Sequence, residues 1–251
     1  MTVNYSAALK YAIFSQEVYR DFSSVTFTGI TDPPVLIVQA KTDTQCAILP
    51  EGDFSTIIFR GSESSVDWNT DFDTRQEQVD FKQQVIQEQI KAKDEKIYPY
   101  AGESSSDALM HRGFVTAYFS VRQQIHDYIR SYPLAGIVTA GHSLGGALAT
   151  LCAVDIQYNF PKLAIDAYTY GAPKVGNDGF RDSFNRRVPS SFRFVHGMDI
   201  VPELPRWWQG YRHVNAEFRI GKRWGINFVS QRFKDHAIEK YIEVLTSLSK
   251  S

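Results

Sequence analysis

The chain has 251 residues and a formal net charge of −1, with apolar and charged fractions of 43% and 22%. That length suits one sizeable domain that buries enough surface to need no staples. The near-zero charge excludes a nucleic-acid role, which needs a basic footprint, but leaves contact with a lipid surface open, because apolar area alone can drive it.

The amino-terminal "MTVNYSAALKYAIFSQ" has no basic start followed by a continuous apolar run. It is therefore not a signal peptide, which predicts a cytoplasmic protein, or a secreted one if the chain is a mature form. Residues 4–22 have helical spacing, with Leu9, Ala12, Ile13 and Val18 on one face. Asp32-Pro33-Pro34 breaks the chain. "VLIVQA", "CAIL" and "STIIFR" then read as strands, the first two as a hairpin-like pair. Residues 74–107 are strongly polar with a thin apolar stripe (Val79, Ile86, Ile90) and read as a surface insertion without a core of its own.

From Phe114 the pattern becomes regular. A helix runs to about Tyr132, where Pro133 stops it, and "GIVTA" follows as a strand. Residues 144–158 read as a helix, "AIDAYTYG" as a strand, 177–187 as a helix and "FRFVH" as a strand. "AEFRI" and "INFVS" read as two more strands, and a last helix starts near 236. Strands alternating with helices predict an α/β domain, a mostly parallel central sheet with helices on both faces. Cys46 and Cys152 lie in apolar contexts and read as buried reduced thiols. No CxxC or Cys/His cluster suggests a metal, and no apolar run is long enough to span a bilayer.

"GHSLGGALA" (141–149) falls between a strand and a helix. In that context G-x-S-x-G reads as a nucleophile elbow, a sharp turn that holds out the Ser143 hydroxyl. A turn that merely packs strand against helix is the competing reading; a phosphate-binding turn is a further one, but G-x-x-x-x-G-K-[ST] and G-x-G-x-x-G are both missing. Serine needs a base, and the base needs an acid to hold it. In such folds the chain order is Ser, Asp or Glu, then His, with active groups at the carboxyl ends of the strands.

Asp199 lies just beyond "FRFVH" in "GMDIVPELP" and is the expected acid, with Glu203 in reserve. Asp155 falls inside a helix, Asp166 inside a strand, and Asp178 and Asp182 on a polar helix. Among the histidines, His142 is fixed beside the serine and cannot turn back onto it. His111 and His126 precede the serine, and His196 shares the acid's strand. His213 is expected at the amino-terminal edge of a strand in a structural role, which leaves His236 as the base. Developing negative charge needs two backbone N–H donors. Leu144, after the nucleophile, and Ser62, at the end of "IIFRGSES", are the expected pair.

These segments also resemble the class 3 lipases, the α/β-hydrolase group that includes filamentous-fungal triacylglycerol lipases. The likeness covers roughly residues 55–240 and rests on "IIFRGSES", "WNTDF", "HRGF", "VTAGHSLGGALATL", "YTYGAPKVGN", "HGMDIVPELP", "YRHVNAEFRI" and "DHAIEKY", in the family's order. The resemblance implies an α/β-hydrolase fold and one domain over 1–251. It implies Ser143 as nucleophile, Asp199 as acid, His236 as base, and Ser62 and Leu144 as oxyanion hole. It also implies a short helical lid at 63–73, with Val66, Trp68 and Phe72 as its apolar side, and Tyr19 as a site-lining tyrosine. This lid is acidic (Glu63, Asp67, Asp71, Asp73), unlike a typical lipase lid, and the 74–107 insertion is longer than in the fungal lipases.

The expected function is a serine carboxylic ester hydrolase, foremost a lipase acting on acylglycerols, with transient contact at a lipid–water interface and no cofactor. The alternatives are a short-chain or phenolic-acid esterase, a phospholipase, or a non-catalytic lipid-binding module on the same fold.

Overall fold

The computed structural model describes residues 3–62, 108–222 and 229–250. The expected lid at 63–73, with Val66, Trp68 and Phe72, and the polar insertion at 74–107 lie outside the described residues.

Seven strands form one sheet in chain order: β1 (Val35–Gln39), β2 (Thr44–Glu51), β3 (Phe54–Phe59), β4 (Gly136–His142), β5 (Ala164–Tyr170), β6 (Ser191–His196) and β7 (Glu217–Ile220). β1, β2 and β3 pair antiparallel. β3 through β7 pair parallel, as the strand–helix alternation predicted. Central β4 is buried along its whole length, so it reads as a continuous apolar and glycine run rather than an alternating one. Its alternate residues feed two cores. Ile137 packs on one face with α2 (Arg112–Ser131), α3 (Leu144–Asn159) and α4 (Asp178–Arg187). Val138 and Ala140 pack on the other with α1 (Tyr5–Glu17) and α6 (Ile238–Leu248). Helices thus cover both faces.

Two local expectations change. Of the expected face of the first helix, Ala12 and Val18 are buried but Leu9 and Ile13 are only half-buried; Ala8, Phe14 and Ser15 are buried as well. "INFVS" is not a strand at its described end: Val229 and Ser230 begin a short helix, α5 (Val229–Lys234), and 226–228 lie outside the described residues. A short apolar run does not by itself separate strand from helix. In α5, Arg232 donates to the Met198 carbonyl and pairs with Glu203. Both cysteines are buried and unbridged.

Asp155 of α3 is the polar centre of the α2–α3 contact. It accepts from Tyr118 Oη at 2.7 Å, Arg122 Nε at 2.8 Å and His126 Nε2 at 2.7 Å. Burial alone would raise its carboxyl, but His126 and Arg122 outweigh it and hold Asp155 below the ordinary carboxylate range. A depressed folded value contributes stability that is complete above the unfolded value near 3.9 and is lost as pH falls through the folded one. Asp155→Asn takes the carboxylate away from buried Arg122 and His126, and breaking a buried pair on one side costs about 3–5 kcal/mol. We expect its Tm at pH 7 to fall by at least about 6 °C, with a flatter acid limb than wild type. A Tm within a degree of wild type contradicts this role.

Candidate active site

The elbow is built by glycines that no other residue can replace. Ser143 caps α3 with φ 59° and ψ −129°, a backbone conformation that costs a non-glycine residue about 1–3 kcal/mol. A Cβ on Gly141 would lie 2.4 Å from the Gly145 carbonyl, and one on Gly145 would lie 2.2 Å from the Phe59 oxygen. The strand and helix therefore pass with no room for side chains, which forces the strained turn and lifts the hydroxyl. Leu144 opens α3, so its N–H is among those of the first turn that lack an intrahelical acceptor.

Three loops at the carboxyl edge converge on this turn. His236 stands between α5 and α6, with Nε2 2.8 Å from Ser143 Oγ and Nδ1 2.8 Å from Asp199 Oδ2. A carboxylate only accepts, so Nδ1 carries the proton and Nε2 is free to accept from the serine. Asp199 follows β6 and is 2% exposed. Its Oδ1 accepts the Val201 N–H at 2.9 Å, and its Oδ2 accepts the Tyr241 hydroxyl at 2.5 Å. Burial and the Asp199 charge push the Tyr241 hydroxyl far up, so it stays a donor. Asp235 joins the two loops, accepting the Met198 N–H on Oδ2 and His196 Nδ1–H on its carbonyl.

The competing acids and bases are employed elsewhere. Glu203 is exposed and pairs with Arg206 and Arg232. Asp178 and Asp182 pair with Arg181. His126 serves Asp155. His213 donates to the Pro202 carbonyl at 2.6 Å on the β6–β7 crossover, and burial, Arg193 and Lys174 keep it well below the usual imidazole range. Among the described residues no group of His, Cys, Asp and Glu could hold a metal ion.

An open cavity of about 600 Å³ lies over Ser143 and His236, lined also by Tyr19, Ser62, Phe233 and Ile238. Ser62 thus reaches the site, on the loop leaving β3. Three residues beside the site have contacts that the sequence did not reveal. Tyr241 lies in "DHAIEKY", five residues past the base. Gly171, with φ 58°, ends "YTYG"; a Cβ there would lie 2.6 Å from Asp199 Oδ2. The third is His142, whose adjacency to the serine hid contacts that run away from it.

A mostly parallel sheet, a strained Gly-x-Ser-x-Gly turn and a Ser–His–Asp chain contributed in that fold's order define an α/β-hydrolase. The family profile described as Lipase (class 3) matches residues 56–208. A secreted mono- and diacylglycerol lipase of Fusarium solani is 39% identical over 114 residues, covering 43% of this chain and 33% of that protein. A lipase of Rhizomucor miehei is 29% identical over 171 residues, covering 65% of this chain and 41% of that protein. The solved structure of the Rhizomucor miehei triacylglyceride lipase superposes with a TM-score of 0.68 at 25% identity, over 86% of this chain and 79% of that one. The chain belongs to the class 3 lipase family. It spans only about a third to two fifths of the length of the two curated relatives.

Proposed function

We propose that this chain is a serine ester hydrolase acting on acylglycerols at a lipid–water interface. The observation that carries the reading is the hydrogen-bonded run Ser143–His236–Asp199 at a strained turn beneath an open cavity. Ser143 Oγ attacks the ester carbonyl while His236 Nε2 takes its proton. Asp199 holds the imidazole in the reactive tautomer and stabilises the imidazolium. The N–H groups of Leu144 and Ser62 receive the oxyanion. Collapse expels the alcohol, protonated by His236, and water repeats the cycle on the acyl-enzyme.

Acylglycerols are favoured as substrates by the lipase names of the relatives and by an exposed pair of tryptophans. Trp207 and Trp208 are 66% and 65% exposed on the crossover that follows Asp199. Tryptophan combines a large apolar face with one polar N–H and suits a lipid–water boundary. The acidic composition of 63–73 favours a second reading, an esterase for soluble short-chain or phenolic esters. Among the described residues no helix is long and apolar enough to cross a membrane.

A fluorophosphonate should label the wild type and not Ser143→Ala; no labelling of the wild type leaves only a non-catalytic lipid-binding module. Turnover of tributyrin, trioctanoin and triolein emulsions then separates the two hydrolase readings. A lipase clears all three, and the double variant Trp207→Ser/Trp208→Ser loses more on emulsions than on a soluble nitrophenyl ester. Turnover confined to soluble esters replaces the lipase reading with the esterase one.

A further inference from the structure

His142 sits between Gly141 and Ser143 and is 6% exposed, yet its ring is turned away from the serine. Nε2 lies 2.7 Å from the backbone carbonyl of His236, and Nδ1 lies 3.0 Å from the Tyr19 hydroxyl. The ring faces the His236 imidazole, with centroids 4.5 Å apart and planes 32° apart.

These contacts fix the protons. A carbonyl oxygen only accepts, so Nε2 of His142 carries a hydrogen. Burial, and then the neighbouring His236, hold His142 well below the usual imidazole range. Its ring is therefore neutral, and Nδ1 must accept. Burial pushes the Tyr19 hydroxyl up, so it is protonated and donates to Nδ1. Gly61 closes against the same hydroxyl: a Cβ there would lie 2.1 Å from the Tyr19 oxygen and 2.7 Å from the His142 carbonyl. One neutral imidazole thus joins the end of α1, through Tyr19, to the elbow and the backbone of His236, with Gly61 packed against the same Tyr19 hydroxyl.

We propose that His142 is a positioning residue for the hydrolytic reaction, bonded between Tyr19 and the His236 carbonyl so that the base is held by its backbone as well as by Asp199. Asp199 fixes where the His236 ring points. His142 fixes where the ring starts, by anchoring the carbonyl at the root of that side chain. The neutral state matters as well, because a charged ring in face contact with His236 would oppose the imidazolium formed in each half-reaction. Tyr19 maintains that state by donating to the one nitrogen that could otherwise take a proton.

The inference rests on the hydrolase reading, and the test separates the two. Fluorophosphonate labelling of wild-type Ser143 judges the hydrolase reading by itself. The positioning role is judged by kcat and KM on a soluble nitrophenyl ester and by exchange of the low-field Nδ1 proton of His236 in the nuclear magnetic resonance spectrum. His142→Phe keeps a flat ring against His236 but removes both hydrogen bonds. It should lower kcat by about 10- to 100-fold, leave KM within about twofold, and speed exchange of that proton. His142→Gln can still donate an N–H to the His236 carbonyl and should recover kcat to within a few-fold of wild type. Tyr19→Phe should give a smaller kcat loss of the same kind, and it stands in for His142→Phe if that variant does not fold. Unchanged kcat in His142→Phe overturns the proposal. So does His142→Gln as impaired as His142→Phe, or, where His142→Phe does not fold, an unchanged kcat in Tyr19→Phe.

Discussion

Ser143→Ala is expected to remove about 10⁶-fold of turnover while leaving the fold in place. Ala and Ser share the same backbone strain at φ 59°, and the change removes only the hydroxyl that bonds His236 Nε2. About 10⁶-fold corresponds to roughly 8 kcal/mol of transition-state stabilisation, comparable to the whole stability of a typical domain, yet almost none of it is folding energy. His236→Ala should cost as much, because a serine at neutral pH is inert without its base. Asp199→Asn should cost on the order of 10⁴: its amide can turn an N–H toward the imidazole and select the tautomer that cannot accept from Ser143. Initial rates on a nitrophenyl ester, with circular dichroism as the folding control, check all three. Loss of turnover in His213→Ala with His236→Ala spared would refute the assignment of the base.

Gly171→Ala is the second large effect, and it involves no group that reacts. The added Cβ would lie 2.6 Å from Asp199 Oδ2, 2.9 Å from His236 Nδ1 and 2.9 Å from Tyr241 Oη. All three are members of the bond that orients the base, so the methyl can fit only by prising that bond open. A displacement near 1 Å is worth about 10²-fold in rate, and this is the loss expected in kcat. Gly171 also has φ 58°, which costs any L side chain about 1–2 kcal/mol. Gly52→Ala separates the two terms: its φ is 69°, but an added Cβ meets nothing within 4 Å. It should lose similar stability and no activity. Equal kcat in Gly171→Ala and Gly52→Ala would show that the carboxylate–imidazole pair tolerates displacement.

Much of the architecture is legible from local pattern. The strand–helix alternation from Gly136 onward repeats the hydrophobic periods of a parallel sheet, and the structure follows it to within a residue or two. The failures lie where period carries little information. "INFVS" is apolar, branched and short, so it suits a strand or a buried helix equally, and its described end begins the helix whose Arg232 bonds to the Asp199 loop. α1 shows the opposite fault. Leu9 and Ile13 share the face that spacing predicts but are only half-buried, and the buried set instead adds Ala8, Phe14 and Ser15.

Sequence by itself nominated the chemistry proposed for the site. Glycines at 141 and 145 demand a turn too tight for side chains, and chain order with strand-end placement singles out Asp199 and His236 from among the acids and histidines. These are one-dimensional facts, set by covalent spacing and by where strands stop. Only the tertiary structure decided what holds those groups in place. Tyr241, Gly171, His142 and Tyr19 act through contacts spanning up to 123 residues of sequence, and a hydrogen bond over that separation leaves no period or motif along the chain. The sequence states which residue types are present, but the direction in which His142 turns depends on which carbonyl and which hydroxyl the packed helices bring within 3 Å of its ring.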